Sequence, residues 1–146
     1  MKASAEIESA VRSALDRFTT AYMDRDIARL RATFAADADV LVYGTGADEK
    51  CIGLAEIERH VERDWAQSEK ASITLGWTSV SSVEALAWAA SEVTFNITAG
   101  GSALKLHGRL TAVLERRTQG WLIVQAHFSL PATGQSEGDS FPGQQS

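Results

Sequence analysis

The stretch that decides the fold runs from residue 103 to residue 129 and reads ALKLHGRLTAVLERRTQGWLIVQAHFS. Apolar and polar residues alternate on either side of Thr118-Gln119-Gly120, and a period of two is typical of β-strands. The triplet carries a glycine and other turn-forming residues, so it predicts the turn between two strands. The sequence therefore predicts an antiparallel hairpin built from residues 103–117 and 121–130.

Further strand-like runs and three helical segments lie upstream of this hairpin. The strand-like runs, rich in Val, Ile, Thr, Trp and Phe, are residues 40–43, 71–80 and 84–97. The helical segments, in which apolar residues recur at steps of three and four, are residues 5–22, 27–34 and 54–65. Helices that precede a run of antiparallel strands predict an α+β fold, with the helices on one face of a curved sheet.

Composition limits the classes of protein that this chain can belong to. Its 146 residues, 45% hydrophobic and 23% charged, suit one soluble domain. The net charge of −5 disfavours nucleic acid as a partner, because an acidic surface repels phosphate. No apolar run is long enough for a membrane span, and no secretory signal is evident. The single cysteine, Cys51, favours a cytoplasmic location.

The composition changes abruptly after residue 130. Residues 131–146 read PATGQSEGDSFPGQQS and contain both prolines, with Phe141 as the one large apolar residue. Such a segment cannot bury enough apolar surface to offset the entropy lost on ordering. We therefore predict a folded domain over residues 1–130 and a flexible tail over residues 131–146.

The two faces of the predicted sheet follow from pairing Ile97 with Ala103 and Leu114 with Val124 across the turns. Alternation then places Trp88 and Glu92 on the face that we expect the helices to cover. The opposite face carries more large apolar side chains than a solvated face needs, which predicts the interface of a homodimer. The predicted interface residues are Val93, Phe95, His107, Arg109, Trp121, Ile123, Gln125, His127 and Ser129. A solvent-facing sheet is the alternative, and a register slip of one residue would exchange the faces.

Three motifs carry a resemblance to a known family. They are Phe18-x-x-Ala-Tyr22-x-x-Arg-Asp26, then Phe34-Ala-x-Asp37 with Tyr43-Gly-Thr-Gly, and finally Arg116-Arg117-x-x-Gly120-Trp121-x-Ile123-Val124-x-x-His127-x-Ser129-x-Pro131. Over residues 5–131 the chain resembles the SnoaL-like branch of the nuclear transport factor two-like superfamily, whose fold is also called cystatin-like. The association domain of calcium/calmodulin-dependent kinase and small proteins of enediyne biosynthetic clusters belong to the same broad group.

The resemblance implies a particular architecture. It implies a cone in which a strongly curved antiparallel sheet wraps around three N-terminal helices, with an interior hydrophobic pocket and dimers formed through the outer sheet face. The pocket arginines of the kinase association domain correspond here to Ala90, Ala112 and Phe128, so binding of small carboxylates by that route is not implied. The superfamily includes isomerases, cyclases, dehydratases, binding domains and assembly hubs, so the resemblance alone does not assign a reaction.

Glu92 is the predicted catalytic residue. It lies in the middle of a strand on the predicted pocket face, opposite Gly108, whose missing side chain would leave room for it. A carboxylate in an apolar cavity acquires a raised pKa and can act as an acid or base near neutral pH. The alternative is a solvated Glu92 at the mouth of the pocket, with no part in chemistry.

The predicted ligand-binding residues are mostly aromatic, because flat apolar rings suit a small apolar or aromatic ligand. They are Phe18, Tyr22, Phe34, Tyr43, Trp65, Trp88, Leu110, Ala112 and Phe128. Trp77 is a further candidate. For each of these residues taken alone, a packed core without a cavity is the alternative.

We expect neither a metal nor another cofactor. In the predicted register His107 and His127 are about 13 Å apart, too far to share an ion. His60 and Asp64 are one helical turn apart, but two ligands are weak evidence for a metal. No dinucleotide-binding, phosphate-binding or nucleophile-elbow motif occurs.

These observations lead to two functional hypotheses. The first is a small-molecule pocket protein, an isomerase, cyclase or hydro-lyase that acts on an apolar ligand with Glu92 as acid or base. The second is a non-catalytic ligand-binding or dimerisation module, in which the outer sheet face matters and the pocket is incidental.

Overall fold

The fold comprises three helices and one six-stranded sheet. A computed structural model describes residues 1–143. In chain order the elements are α1 (Ala5–Met23), α2 (Ile27–Arg31), β1 (Leu41–Tyr43), β2 (Lys50–Ile52), α3 (Leu54–Ala66), β3 (Lys70–Val83), β4 (Leu86–Ala99), β5 (Ser102–Arg117) and β6 (Gly120–Ser129). The predicted α+β class is confirmed, and the short strand β2 is an addition that the sequence reading did not include.

The helices begin where side chains can cap them. The Ser4 side chain accepts a hydrogen bond from the Ile7 amide at 3.3 Å, and Asp26 accepts one from the Arg29 amide at 3.0 Å. Each cap satisfies a backbone donor that has no partner within its helix. Helix α3 begins after Gly53, whose φ of 83° lies in the region that favours glycine. Among residues 1–143, no helix has both the length and the apolar character needed to cross a bilayer.

The sheet has the strand order β2-β1-β6-β5-β4-β3. Strand β1 pairs in parallel with β6, and every other pairing is antiparallel. Register shifts interrupt β3 between Leu75 and Thr78, and the β5–β6 pair next to Val113. Such bulges bend strands and increase their twist, so the long strands curve around α1.

The hydrophobic core lies between the helices and the concave face of the sheet. Helix α1 buries Val11, Leu15 and Phe18 against it, because these residues recur at steps of three and four on one side of the helix. The most completely buried side chains of the sheet include Leu110, Leu114 and Ile123. The core thus joins the first helix to the C-terminal hairpin.

The predicted register of β4 against β5 is wrong by one residue. Ala99 pairs with Ser102, so the turn holds only Gly100 and Gly101, whose φ angles are 58° and 78°. Two consecutive residues with positive φ make the tight turn that matches the twist of a hairpin. Ala103 therefore pairs with Thr98 rather than with Ile97.

This shift reverses the face assignment of β4. Val93 is buried in the core and Phe95 is half-buried on the concave side, so neither belongs to an outer interface. Glu92 is exposed on the convex side, and Trp88, four residues earlier in the strand and half-buried, lies on the same side. Because side chains of a strand alternate between faces, a shift of one residue in the pairing moves every side chain of β4 to the opposite face.

A second irregularity corrects the assignment of β6. Leu114 pairs with Ile123 rather than with Val124, while Val113 pairs with Gln125. The extra residue lets Ile123 and Trp121 point into the core, where both are buried. Their predicted place in a dimer interface is therefore wrong. His107, Arg109, Gln125 and His127 are exposed and Ser129 is half-buried, and their role at an interface stays a prediction.

Residues 131–143 contain neither helix nor strand, and all are exposed. The carbonyl of Gly134 accepts a hydrogen bond from the Gly143 amide at 3.1 Å, which closes a loop within this segment. Phe141 is 80% exposed and contributes nothing to the core. The last three residues of the predicted tail lie outside the described residues.

Candidate active site

The molecule contains a cavity of about 300 Å³ between the helices and the concave sheet face. Most of its wall is apolar and includes four phenylalanine side chains, which are Phe18, Phe34, Phe95 and Phe128. Phe18 meets Phe34 edge to face with 5.7 Å between ring centroids, and Phe128 lies 6.0 Å from Phe95. Rings from both helical and sheet residues thus form one continuous apolar surface.

The polar groups of the cavity gather at one end. Helix α3 supplies His60 and Asp64, which are four residues apart and therefore on the same side of the helix as Ile57 and Val61. His60 Nε2 lies 3.8 Å from Asp64 Oδ2. Helix α1 supplies Tyr22, whose hydroxyl donates a hydrogen bond to Asp64 Oδ2 at 2.8 Å.

The fourth polar group is Glu49, from the segment that joins β1 to β2. Its Oε1 lies 3.9 Å from His60 Nε2 and 3.2 Å from the guanidinium of Arg63. Its Oε2 accepts a hydrogen bond from the Gly46 amide at 2.7 Å. A Cβ on Gly44 would lie 2.9 Å from Glu49 Cβ, so the glycines in this segment leave the space that the Glu49 side chain fills.

Burial perturbs two of these four groups. It raises the pKa of the Asp64 carboxyl, although the neighbouring His60 and the Tyr22 hydrogen bond act in the opposite direction. Burial, followed by the charge of Asp64, raises the pKa of Tyr22 far above its ordinary value. Tyr22 therefore remains a protonated hydrogen-bond donor throughout the physiological range.

Surrounding contacts fix these groups in place. The Trp65 indole donates to the Tyr22 carbonyl at 3.0 Å, and its ring lies 6.2 Å from the Tyr22 ring. Arg25 donates to the carbonyls of Trp65 and Ser68, which caps the end of α3. Cys51 also lines the cavity, and burial raises the pKa of its thiol.

The structure brings together only part of the predicted ligand site. Phe18, Tyr22, Phe34 and Phe128 line the cavity as predicted, whereas five other candidates do not. Those five are Tyr43, Trp65, Trp88, Leu110 and Ala112.

Each of the five has a physical reason for its place. Tyr43 is exposed and lies beside His127 outside the cone, with ring centroids 5.2 Å apart and the rings tilted by 42°. Trp65 packs against Tyr22 but does not line the cavity. Trp88 lies on the convex face because the register of β4 differs from the predicted one. Leu110 and Ala112 are buried deeper in the core. Trp77 is 64% exposed beside the bulge in β3.

The placement of Glu92 in the pocket is wrong. Its side chain is on the convex face, in a shallow groove with His107 and Arg109. The space above Gly108 is filled, because a Cβ there would lie 2.6 Å from the Ser129 carbonyl and 2.8 Å from the Phe95 ring. The glycine admits this close approach between the sheet and the Phe95 ring rather than a carboxylate.

The polar cluster was only partly visible in the sequence. The four-residue spacing of His60 and Asp64 places both on the apolar side of a helix, but two residues alone are weak evidence for a site. Glu49 carried no signal of its own. Within residues 1–143, Glu49, His60 and Asp64 form a group in which one oxygen or nitrogen atom of each side chain lies within 4.8 Å of the other two. Such side chains can exchange protons or hold a cation.

The fold and the cavity define a class of small α+β cone proteins that enclose a ligand-sized pocket. Residues 11–133 match the family model of the SnoaL-like domain, and the chain belongs to this family. No curated protein matches the chain.

Solved structures support the same fold. An NTF2-like protein of unknown function from Pseudomonas putida is 22% identical, with a TM-score of 0.75 and coverage of 88% of this chain and 89% of that one. A proposed calcium/calmodulin dependent protein kinase II association domain from Xanthomonas campestris is 22% identical, with a TM-score of 0.74 and coverage of 84% and 86%. A proposed dehydratase of the NTF2-like family from Streptomyces avermitilis is 19% identical, with a TM-score of 0.79 and coverage of 86% and 97%.

Proposed function

We propose that this protein is an enzyme that moves protons on a small, mainly apolar substrate, as isomerases and hydro-lyases do. The observation that carries the proposal is the group of Tyr22, His60 and Asp64 at the one polar end of an apolar cavity. A similar fold in a proposed dehydratase supports the hydro-lyase direction. The acid or base role that the sequence analysis expected of Glu92 is assigned here to His60.

The roles of the three groups follow from their contacts. Histidine is the side chain best suited to accept and release a proton near neutral pH. Asp64 faces His60 Nε2 and stabilises the charge that forms when the imidazole takes up a proton. Tyr22 donates to Asp64 and so fixes the orientation of its carboxylate. His60 is therefore the proposed catalytic residue, with Asp64 and Tyr22 as its positioning residues.

Hydrogen–deuterium exchange at carbon tests the proposal without knowledge of the natural substrate. The probes are 1-tetralone and 2-amino-1-tetralone, which are ketones of two rings that suit the cavity. In D₂O we expect the wild type to accelerate the exchange of hydrogens next to the carbonyl, measured by proton NMR. We expect His60→Gln to reduce that acceleration about 100-fold, because general acid–base catalysis contributes on the order of 10²–10⁴.

Glu92→Gln is the matched control, since it changes the same kind of group outside the cavity, and we expect it to exchange like the wild type. The proposal is wrong if a probe that saturates the wild type exchanges no faster than with His60→Gln. Binding without exchange would favour the non-catalytic ligand-binding module instead.

We also propose that the convex sheet face forms a homodimer interface. Its exposed residues include the neighbouring rings of Tyr43 and His127, with Thr111 opposite His127 on the neighbouring strand. An exposed aromatic pair flanked by polar and charged groups is the composition that protein interfaces favour. This surface excludes Val93, Trp121 and Ile123, which are buried within one copy.

A further inference from the structure

We propose that the polar end of the cavity binds the ammonium group of a small apolar amine, through Glu49, His60 and Asp64. The inference rests on the proposed function, because it names the class of ligand for the same site. Glu49 Oε1 and Asp64 Oδ2 can accept hydrogen bonds, and His60 Nε2 can accept one when the ring proton is on Nδ1. A primary ammonium group carries three N–H donors, one for each acceptor.

The spacing of the three atoms is wider than the ligand spacing of a small metal ion. Two of the separations are 3.8 Å and 3.9 Å, and all are within 4.8 Å. Ligands of zinc or magnesium at about 2.1 Å would be about 3.0–3.4 Å apart. Acceptors at about 2.8 Å from a tetrahedral nitrogen would be about 4.6 Å apart, so the observed separations lie between the two patterns. Calcium fits poorly, because it takes six to eight oxygen ligands.

The charges at this end also favour a cation. Glu49 and Asp64 are both carboxylates, and the nearest cation, Arg63, is already paired with Asp48 at 2.9 Å as well as with Glu49. Within the described chain, neither lysine nor arginine is among the residues that line the cavity. The polar end therefore keeps an excess of negative charge, which attracts an ammonium group and repels a carboxylate.

The apolar wall of the cavity determines which hydrocarbon body the ligand can carry. Beyond the polar end the wall consists mainly of rings and aliphatic side chains such as Phe18, Phe34 and Ile73. The cavity of about 300 Å³ is at the small end of the range for ligand pockets. It therefore suits a hydrocarbon body of one or two rings with a single charged nitrogen at one end.

A matched ligand series tests this inference. The probes are 2-aminotetralin, 2-tetralol and tetralin-2-carboxylate, which share a skeleton and differ in charge. By calorimetry at pH 7.5 we expect the wild type to bind the amine about tenfold more tightly than the alcohol, and the carboxylate least tightly, because hydrogen bonds between charged partners are stronger. Equal or tighter binding of the alcohol or the carboxylate would overturn the inference.

Variants and metal ions sharpen the test. Glu49→Gln keeps the size of the side chain but removes one charge, so we expect the preference for the amine over the alcohol to fall about tenfold. Glu92→Gln, on the convex face, should leave that preference unchanged. If Glu49→Gln does not fold, the ligand series with the wild type still tests the inference. Zinc or manganese chloride that binds and displaces the amine would show a metal site instead and overturn the inference.

The two proposals fail separately. Amine selectivity without hydrogen exchange would contradict the proposed function and leave the ligand class intact. Exchange with the neutral ketone, together with no preference for the amine, would contradict only the ligand class.

Discussion

At the scale of single residues, Asp64 is the clearest case in which position sets chemistry. A carboxylate on the exposed side of a helix would titrate ordinarily, but Asp64 faces the cavity, where burial raises its pKa. The hydrogen bond from Tyr22 and the nearby His60 offset part of that penalty. The residue therefore costs stability for as long as it carries its charge.

This cost predicts a dependence on pH. Because the pKa of Asp64 is higher in the folded state, its favourable contribution is present below its unfolded pKa, near 3.8, and is lost as pH rises through the folded pKa. We expect Asp64→Asn to gain stability relative to the wild type between about pH 4 and pH 7. Urea unfolding of both proteins across that range measures the difference.

His60 and Glu49 face Asp64, so the carboxyl of Asp64 should be followed directly by carbon NMR. A carboxyl that titrates at or below its ordinary value would contradict the prediction. Glu92→Gln serves as the control, because its side chain is exposed on the convex face.

At the scale of elements, the turn between β4 and β5 decides which side chains meet the cavity. Gly100 and Gly101 both have positive φ, and their two-residue turn sets the register of the longest pairing in the sheet. A turn with one more residue would place Glu92 inside and Val93 outside. The identity of the cavity wall therefore depends on two glycines that do not line the cavity themselves.

Substitution of Gly100 tests the dependence on positive φ. We expect Gly100→Val to cost about 1–2 kcal/mol of unfolding free energy, because a β-branched residue is strained in this region. Gly100→Asn should be nearly neutral, since asparagine followed by glycine is a favoured pair in such turns. Thermal and urea unfolding compare the two. Equal losses for both variants would show that backbone conformation is not the cause.

The elements also show what the sequence could and could not predict. Local periodicity predicted the helices and the long strands, because each depends on neighbours a few residues apart. The register depended on reading Gly100-Gly101 as a two-residue turn, and the bulge at Val124 carried no local signal. The site was harder still, because Tyr22 and Asp64 are 42 residues apart and meet only through helix packing.

At the scale of the whole molecule, the concave and convex faces of the sheet carry different kinds of side chain. The concave face holds the core and the cavity, while the convex face carries exposed polar and aromatic groups. The corrected register separates them more clearly than the sequence prediction did, since Val93, Phe95, Trp121 and Ile123 all leave the convex face. Substitutions on the convex face can therefore test the proposed dimer without changing the residues that line the cavity.

Charged substitutions on the convex face test the proposed dimer. We expect the double variant Thr111→Glu and His127→Glu to be monomeric, because like charges at paired positions on this face oppose burial against a second copy. Sedimentation velocity compares it with Ser13→Glu, a control on the exposed side of α1. A double variant that sediments like the wild type would contradict the proposed interface, as would a monomeric wild type.

The Cys51 thiol in the cavity wall can report whether a ligand occupies the cavity. Cys51 is the one cysteine of the chain and is buried, so an alkylating reagent must enter the cavity to reach it. Its raised pKa keeps the sulfur protonated and slow to react at neutral pH, so labelling is best followed under mildly alkaline conditions. Any molecule that fills the cavity shields this sulfur. The rate of Cys51 alkylation therefore measures how well a compound fills the cavity. It can rank unknown compounds before any reaction has been identified.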